Sequence, residues 1–260
     1  MRPIKLTVCF IILIISTPSW AAGVNDVNNG QDFTRPVYRL EGLLKYDDMV
    51  GDSWSTTMTL RAGAPFPLGG GWAVSLRADL PYRWTSGISP DNPAGVSESG
   101  FSDTLTQALF IAPSSGKWTY AVGTQFILPT AEKDELGKRR YQLVPSAGFK
   151  YDLSGWMQGA WAAFMARQAF NITTNSNRPD IRVTYIQPIL NIDLPDLWFL
   201  TFAPEALYDW KKKDWFVPFD ITAGKMLTRE VVASIEYKSA IRDDLKLFVN
   251  EVEARIGFFF

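Results

Sequence analysis

Histidine is absent from the 260-residue chain, and cysteine occurs once, at Cys9. Without imidazole there is no Ser–His–Asp relay, no histidine general base and no His-ligated metal centre. A lone thiol forms no intrachain disulfide and no Cys-based metal site. Charge of one sign is also missing: 26 basic residues face 27 acidic ones, the net is −1, and no basic tract points to nucleic acid. Nor is there an apolar run of the ~20 residues that a spanning helix needs. Aromatics, by contrast, are plentiful, with 17 Phe, 10 Trp and 9 Tyr. These absences argue against His- or Cys-dependent enzymes and leave no sign of a cofactor.

The first 22 residues read as a cleavable secretory signal peptide: Arg2 and Lys5, an apolar core over 6–15, then Pro18 and the small-residue region Ser19-Trp20-Ala21-Ala22. Cys9 belongs to this leader. Its removal leaves about 238 residues, enough for one large β domain. Residues 23–36 (GVNDVNNGQDFTRP) are polar and rich in Asn, Asp and Gly. They are expected as a flexible periplasmic arm; a plug would be compatible but has no positive sign in the composition.

From Val37 to Phe260 the chain alternates. Side chains of a strand point to opposite faces in turn. Residues 37–46 set Tyr38, Leu40, Leu44 and Tyr46 against Arg39, Glu41 and Lys45. Residues 53–66 set Met58, Leu60 and Phe66 against Thr57, Thr59 and Arg61, and 72–82 set Leu76, Leu80 and Tyr82 against Arg77 and Asp79. Comparable alternation runs through 117–128, 141–151, 198–208, 215–225 and 231–238, whereas 101–112, 156–168 and 181–192 are strand-like with ambiguous facing. The total is about 12 strands, an even number within the range of transmembrane barrels. Connections after even-numbered strands are short, near Pro67, Pro113, Ser154, Pro195 and Thr228. Those after odd-numbered strands are mostly longer, notably 85–100, 129–140 and 170–179. Short turns on one rim and long loops on the other are the pattern of an all-β, antiparallel, up-and-down transmembrane barrel with both termini periplasmic.

Tryptophan is placed by rim. Trp72, Trp118, Trp156 and Trp198 each follow a short turn and read as a periplasmic aromatic girdle. Trp54, Trp84, Trp210 and Trp215 fall at the opposite rim. The last strand, 247–260, ends on Ile256, Phe258 and Phe260, with apolar residues at every second position (Phe248 and Val252 among them), and resembles the assembly signal of outer-membrane barrels. In this register the lumen collects Arg39, Glu41, Lys45, Arg61, Arg77, Asp79 and Lys150 from the first half of the barrel. Glu205, Asp220, Glu236, Lys238, Glu251, Glu253 and Arg255 come from the second. Two readings stay open: an ion-pair network that fills the lumen, or a narrow polar permeation path. No pair of these charges reads as catalytic, and no spacing suits a metal. Lys211-Lys212-Lys213 reads as a basic hairpin tip, a solvated turn or a contact to anionic lipopolysaccharide.

Several stretches resemble a bacterial family of β-barrel porins labelled after the meta-pathway of phenol degradation and described as transporters. The carrying residues are Gly100-Phe101-Ser102-Asp103-Thr104, Gly116-Lys117-Trp118, Leu128-Pro129-Thr130 with Gly137, and Gln187-Pro188-Ile189-Leu190-Asn191. Leu194-Pro195-Asp196-Leu197-Trp198, Pro204, Tyr208-Asp209-Trp210, Val217-Pro218 and Gly224-Lys225 complete the set. The resemblance runs from about Ser53 to the end; Ile192, Leu197 and Pro145 depart from its pattern. It implies an outer-membrane barrel of a Gram-negative bacterium, with a transport role and no stated cargo.

The expected function is passive passage of small molecules, hydrophobic or aromatic ones among them, with lumenal charge setting selectivity. The alternative is a plugged structural or binding barrel whose outer loops meet a ligand or partner. Expected partners are outer-membrane lipid, lipopolysaccharide and the barrel-assembly machinery. Outer-membrane phospholipases, deacylases and omptin-like proteases depend, as families, on histidine, which this chain lacks.

Overall fold

The structure is a computed structural model that describes residues 28–90, 92–172 and 180–260; the leader and residues 23–27 lie outside them. Fourteen strand segments form one antiparallel sheet: β1 (Arg39–Asp48), β2 (Trp54–Gly69), β3 (Trp72–Ser86), β4 (Glu98–Phe101), β5 (Thr104–Ile111), β6 (Trp118–Leu128), β7 (Gln142–Asp152), β8 (Trp161–Asn171), β9 (Arg182–Asp193), β10 (Trp198–Phe202), β11 (Ala206–Asp209), β12 (Asp214–Met226), β13 (Val231–Asp243) and β14 (Asn250–Phe259). β4 and β5 follow each other along β3, and β10 and β11 share the place between β9 and β12, so the fourteen segments make twelve staves. The second break contains Pro204, which has no N–H to give to a ladder. β1 then pairs with β14 in unbroken register from Arg39↔Phe259 to Asp48↔Asn250, which closes the sheet. Closure leaves no free edge, the condition for crossing a bilayer with strands.

Polarity is inverted relative to a soluble protein. Leu44, Met58 and Val122 are 51%, 52% and 58% exposed on the exterior, whereas Glu41 and Asp220 are 0% and 2% exposed. An apolar outer belt around a charged interior is the transmembrane-barrel arrangement. Val252, Ile256, Phe258 and Phe260 join that belt from β14, while Glu251 and Arg255 are buried inside. The turn from β2 to β3 is tight because Gly69, Gly70 and Gly71 all take positive φ (87°, 59° and 80°), a conformation side chains resist.

Three expectations need correction. The strand expected over 156–168 begins at Trp161, so Trp156 sits in the short-turn connection, 88% exposed, rather than on a stave. Trp72, Trp118 and Trp198 do start staves and are half-exposed on the exterior. Phe248 does not share the outer face of β14: it precedes the strand, and its ring meets lumenal Phe216 at 4.8 Å. Residues 28–36 are not a free arm. They cross the short-turn end of the lumen, where Asn29, Asp32 and Thr34 are buried and Phe33 packs on Leu109, Ile111 and Ala121.

At the opposite rim, two of the family-like stretches meet. The Asp103 carboxylate, in the break between β4 and β5, accepts the N–H groups of Ala131 (3.1 Å) and Arg139 (2.9 Å). The Thr130 hydroxyl donates to the Ser102 carbonyl (3.0 Å) and accepts the Thr104 N–H (2.8 Å). Ser102 donates to the Leu136 carbonyl, and Leu136 itself is fully buried. A Cβ on Gly100 would strike Glu132 and Leu136, so this glycine gives the loop room to dock. The stave break and the long loop 129–141 are thus one latched unit.

Candidate functional site

The lumen gathers charged side chains from across the sheet. Because register fixes which residues lie opposite each other, the inward residues form two ladders beside the seam. On one side Glu41 lies opposite Arg61, and Arg61 opposite Asp79, across β1, β2 and β3. On the other, Asp220 lies opposite Lys238, Lys238 opposite Glu251, and Glu251 opposite Asp47. Signs alternate from Glu41 to Asp79 and from Asp220 to Glu251, which compensates part of the desolvation cost, while Glu251 and Asp47, of like sign, share Lys45.

The first ladder is rich in guanidinium groups. Glu41, fully buried, has Arg255 at 3.4 Å and Arg39 and Arg61 each at 3.7 Å. Asp79 receives a fork from Arg61 (3.0 and 3.1 Å) and a second from Arg77, whose Nε lies at 2.8 Å. Four guanidiniums therefore share two carboxylates. The second ladder is rich in carboxylates. Lys45 contacts Asp47 and Glu251, each at 3.2 Å, and Lys238 contacts Glu251 (2.9 Å), Glu236 (3.0 Å) and Asp220 (3.9 Å). Glu253 lies opposite Lys45 and Glu236 and lines the same space. The two ladders occupy different levels, since Arg39 and Arg255 lie toward the termini and Asp47 and Glu251 toward the long loops. The lumen is balanced overall and polarised along its length.

Lys150 pairs with Asp32 of the segment that crosses the lumen, at 2.5 Å. The same segment is held by Asn29, whose side chain donates to Asn191 (3.1 Å) and whose carbonyl accepts from Arg255 (3.0 Å). Gly30 offers its carbonyl to Arg39 at 3.3 Å. Glu205, in the gap between β10 and β11, pairs with Arg167 of β8. Arg167 also donates to Gln187 at 2.8 Å and stacks near the Tyr185 ring at 5.8 Å. Of the fourteen charged residues expected in the lumen, ten line the cavity described below, and Glu41, Asp79, Lys150 and Asp220 are held in ion pairs with Arg255, Arg61, Asp32 and Lys238. Arg167, Gln187, Asn191 and Tyr185 were missing from that set. Their strands carry apolar or small residues on both faces, so alternation could not assign a side.

Between the ladders and β8 lies a cavity of about 580 Å³. Arg39, Lys45, Arg61, Arg77, Arg167 and Arg255 reach it, as do Glu205, Glu236, Glu251 and Glu253. Gly30, Gln31 and Phe33 form its floor toward the short-turn rim. Among the described residues, no group of three acidic residues is placed to hold a metal ion. The polar lumen, its charge ladders and the crossing segment are geometry for holding or passing a small solute.

The comparisons agree with this architecture. Residues 26–193 match the family described as "Putative MetA-pathway of phenol degradation", so the motifs after Asp193 lie beyond the matched part. An outer-membrane channel of Pseudomonas putida F1 superposes with a TM-score of 0.71 at 15% identity, covering 90% of this chain and 100% of that one. The KdgM porin gives 0.56 at 6% identity over 85% and 99%, and the NanC porin 0.55 at 10% over 86% and 98%. At these identities the likeness is one of fold. No curated protein sequence matches the chain.

Proposed function

The chain belongs to this phenol-degradation MetA-pathway family, and from that premise we propose that it is a passive outer-membrane channel for small molecules. The observation that carries this reading is the charged cavity of about 580 Å³ inside a closed twelve-stave barrel with an apolar exterior. The short-turn rim, with both termini, faces the periplasm, and the long loops face outward. Bilayer lipid meets the outer belt; lipopolysaccharide meets Lys211, Lys212 and Lys213 at the hairpin tip between β11 and β12; the assembly machinery reads the β14 end. The chain acts as a channel rather than an enzyme, because its lumenal charges are engaged in ladders with one another.

A second reading has one specific observation behind it: residues 28–36 cross the lumen and bond to β1, β7, β9 and β14. A barrel held shut by this segment would bind a solute without passing it. Conductance of the refolded protein in planar bilayers, and of a form lacking 28–36, separates the two. Current steps in the full chain support the channel. Current only after deletion supports the closed binding barrel, and current in neither refutes both the channel and closure by this segment.

A further inference from the structure

We propose that the lumen contains a binding subsite for a small organic carboxylate with an apolar body, held between Arg77 and Arg167; this rests on the channel reading above. Among the described residues, Arg39, Arg61, Arg77 and Arg255 form their ion pairs with two carboxylates, Glu41 and Asp79. Asp79 receives forks from both Arg61 and Arg77, so a single carboxylate serves two guanidiniums. This end of the cavity therefore carries an excess of positive charge.

Arg167 reaches the same cavity from β8, four staves away. One terminal nitrogen serves Gln187 and Glu205, but its Nε is buried without a hydrogen-bond partner. A guanidinium N–H shut away from water without an acceptor is costly, and an incoming carboxylate supplies the acceptor. Between the two arginines Gln125 donates to Gln107 at 3.3 Å, which places neutral amides beside the same space.

The remaining wall fixes the rest of the ligand. Leu43, Met165, Ile189, Leu207 and Phe216 give an otherwise polar wall an apolar portion on which the body of such a ligand rests. Glu236, Glu251 and Glu253 lie on the long-loop side and repel a second carboxylate. A monocarboxylate is thus drawn in with its acid group toward the arginines. A cation of the same shape meets the opposite field, and a neutral analogue has no counterpart for Arg77 and Arg167.

The test uses the full folded chain in detergent, with benzoate as probe and benzylammonium and benzyl alcohol as cationic and neutral analogues. Isothermal calorimetry should detect benzoate about tenfold or more tighter than either analogue, since a charge-assisted fork is the distinguishing contact. Arg77→Gln and Arg167→Gln should each weaken benzoate about tenfold, while Arg229→Gln on the exposed short-turn rim should leave it unchanged. Folding of each variant is checked by its heat-modifiable migration, and Arg77→Lys, which keeps the charge, should recover part of the affinity. Equal binding of the three probes, or benzoate affinity untouched by both arginine changes, overturns the proposal. Planar-bilayer current in the same preparation reads the channel separately: conduction without benzoate selectivity removes only this inference, whereas absent conduction with benzoate binding removes only passage.

Discussion

Replacing Asp32 by Ala should release the segment that crosses the lumen. Asp32 is 7% exposed and accepts from Lys150 Nζ at 2.5 Å, from the Thr34 N–H at 2.9 Å and from the Thr34 hydroxyl at 2.7 Å. Lys150 is itself largely buried, with 14% of its side chain exposed. Removing one partner of a buried pair costs about 3–5 kcal/mol, because the other charge stays desolvated. Here that cost falls on the docked state, since Lys150 regains water when the segment leaves. Even the lower figure, about 3 kcal/mol, shifts docked against undocked by about a hundredfold. Single-channel recording should then show Asp32→Ala dwelling mainly in the higher-conductance state. Lys150→Ala should do the same, and the double variant should add little to either single one, as a shared interaction requires. If Asp32→Ala and the unmodified chain have identical conductance and dwell times, the segment does not obstruct the lumen and the reasoning fails.

Three further outcomes follow from the same physics. Glu41→Gln strips Arg39, Arg61 and Arg255 of a common counter-ion. It should destabilise the barrel by about 3–5 kcal/mol, read as a lower temperature of conversion to the unfolded gel band; an unchanged temperature contradicts the ladder. Asp103→Ala removes the acceptor of the Ala131 and Arg139 N–H groups, at about 1–3 kcal/mol for the part-buried Ala131 bond and less for Arg139, which regains water. The loop 129–141 should become a trypsin site at Lys138 and Arg139 while the barrel stays folded, and an unaltered cleavage rate would count against the latch. Val122→Arg puts a charge on the exterior belt at a position 58% exposed, and refolding into bilayers should weaken by about 2–4 kcal/mol. Normal refolding would mean that Val122 does not face lipid.

Much of the barrel was legible because a strand has a side-chain period of two and a charged lumen makes one phase unambiguous. β1, β2, β3 and β14 each carry ionic residues on one face and Leu, Met, Val or Phe on the other, so their facing follows directly from the sequence. β8 does not. Its inward residues Trp161, Ala163, Met165 and Arg167 alternate with Ala162, Phe164 and Ala166, and both rows read as mildly apolar. That ambiguity let Trp156 pass for the start of the stave and hid Arg167. The crossing segment was illegible for a different reason. Its Asn, Gly and Asp content suits water, and it suits a polar lumen equally well; only partners far away in sequence, such as Lys150, Asn191 and Arg255, distinguish the two. Likewise, Gly100-Phe101-Ser102-Asp103-Thr104 could be singled out as a motif, but its purpose appeared only when loop 129–141 docked on Asp103.

The central claim is that the lumen is a path for solutes between the two rims. Its most direct test is the ionic current of the refolded, otherwise unmodified chain in a planar bilayer, measured beside the form lacking residues 28–36. The account predicts discrete conductance steps in the full chain and larger ones after deletion. Silent bilayers with both proteins, each shown to be folded and inserted, would contradict it.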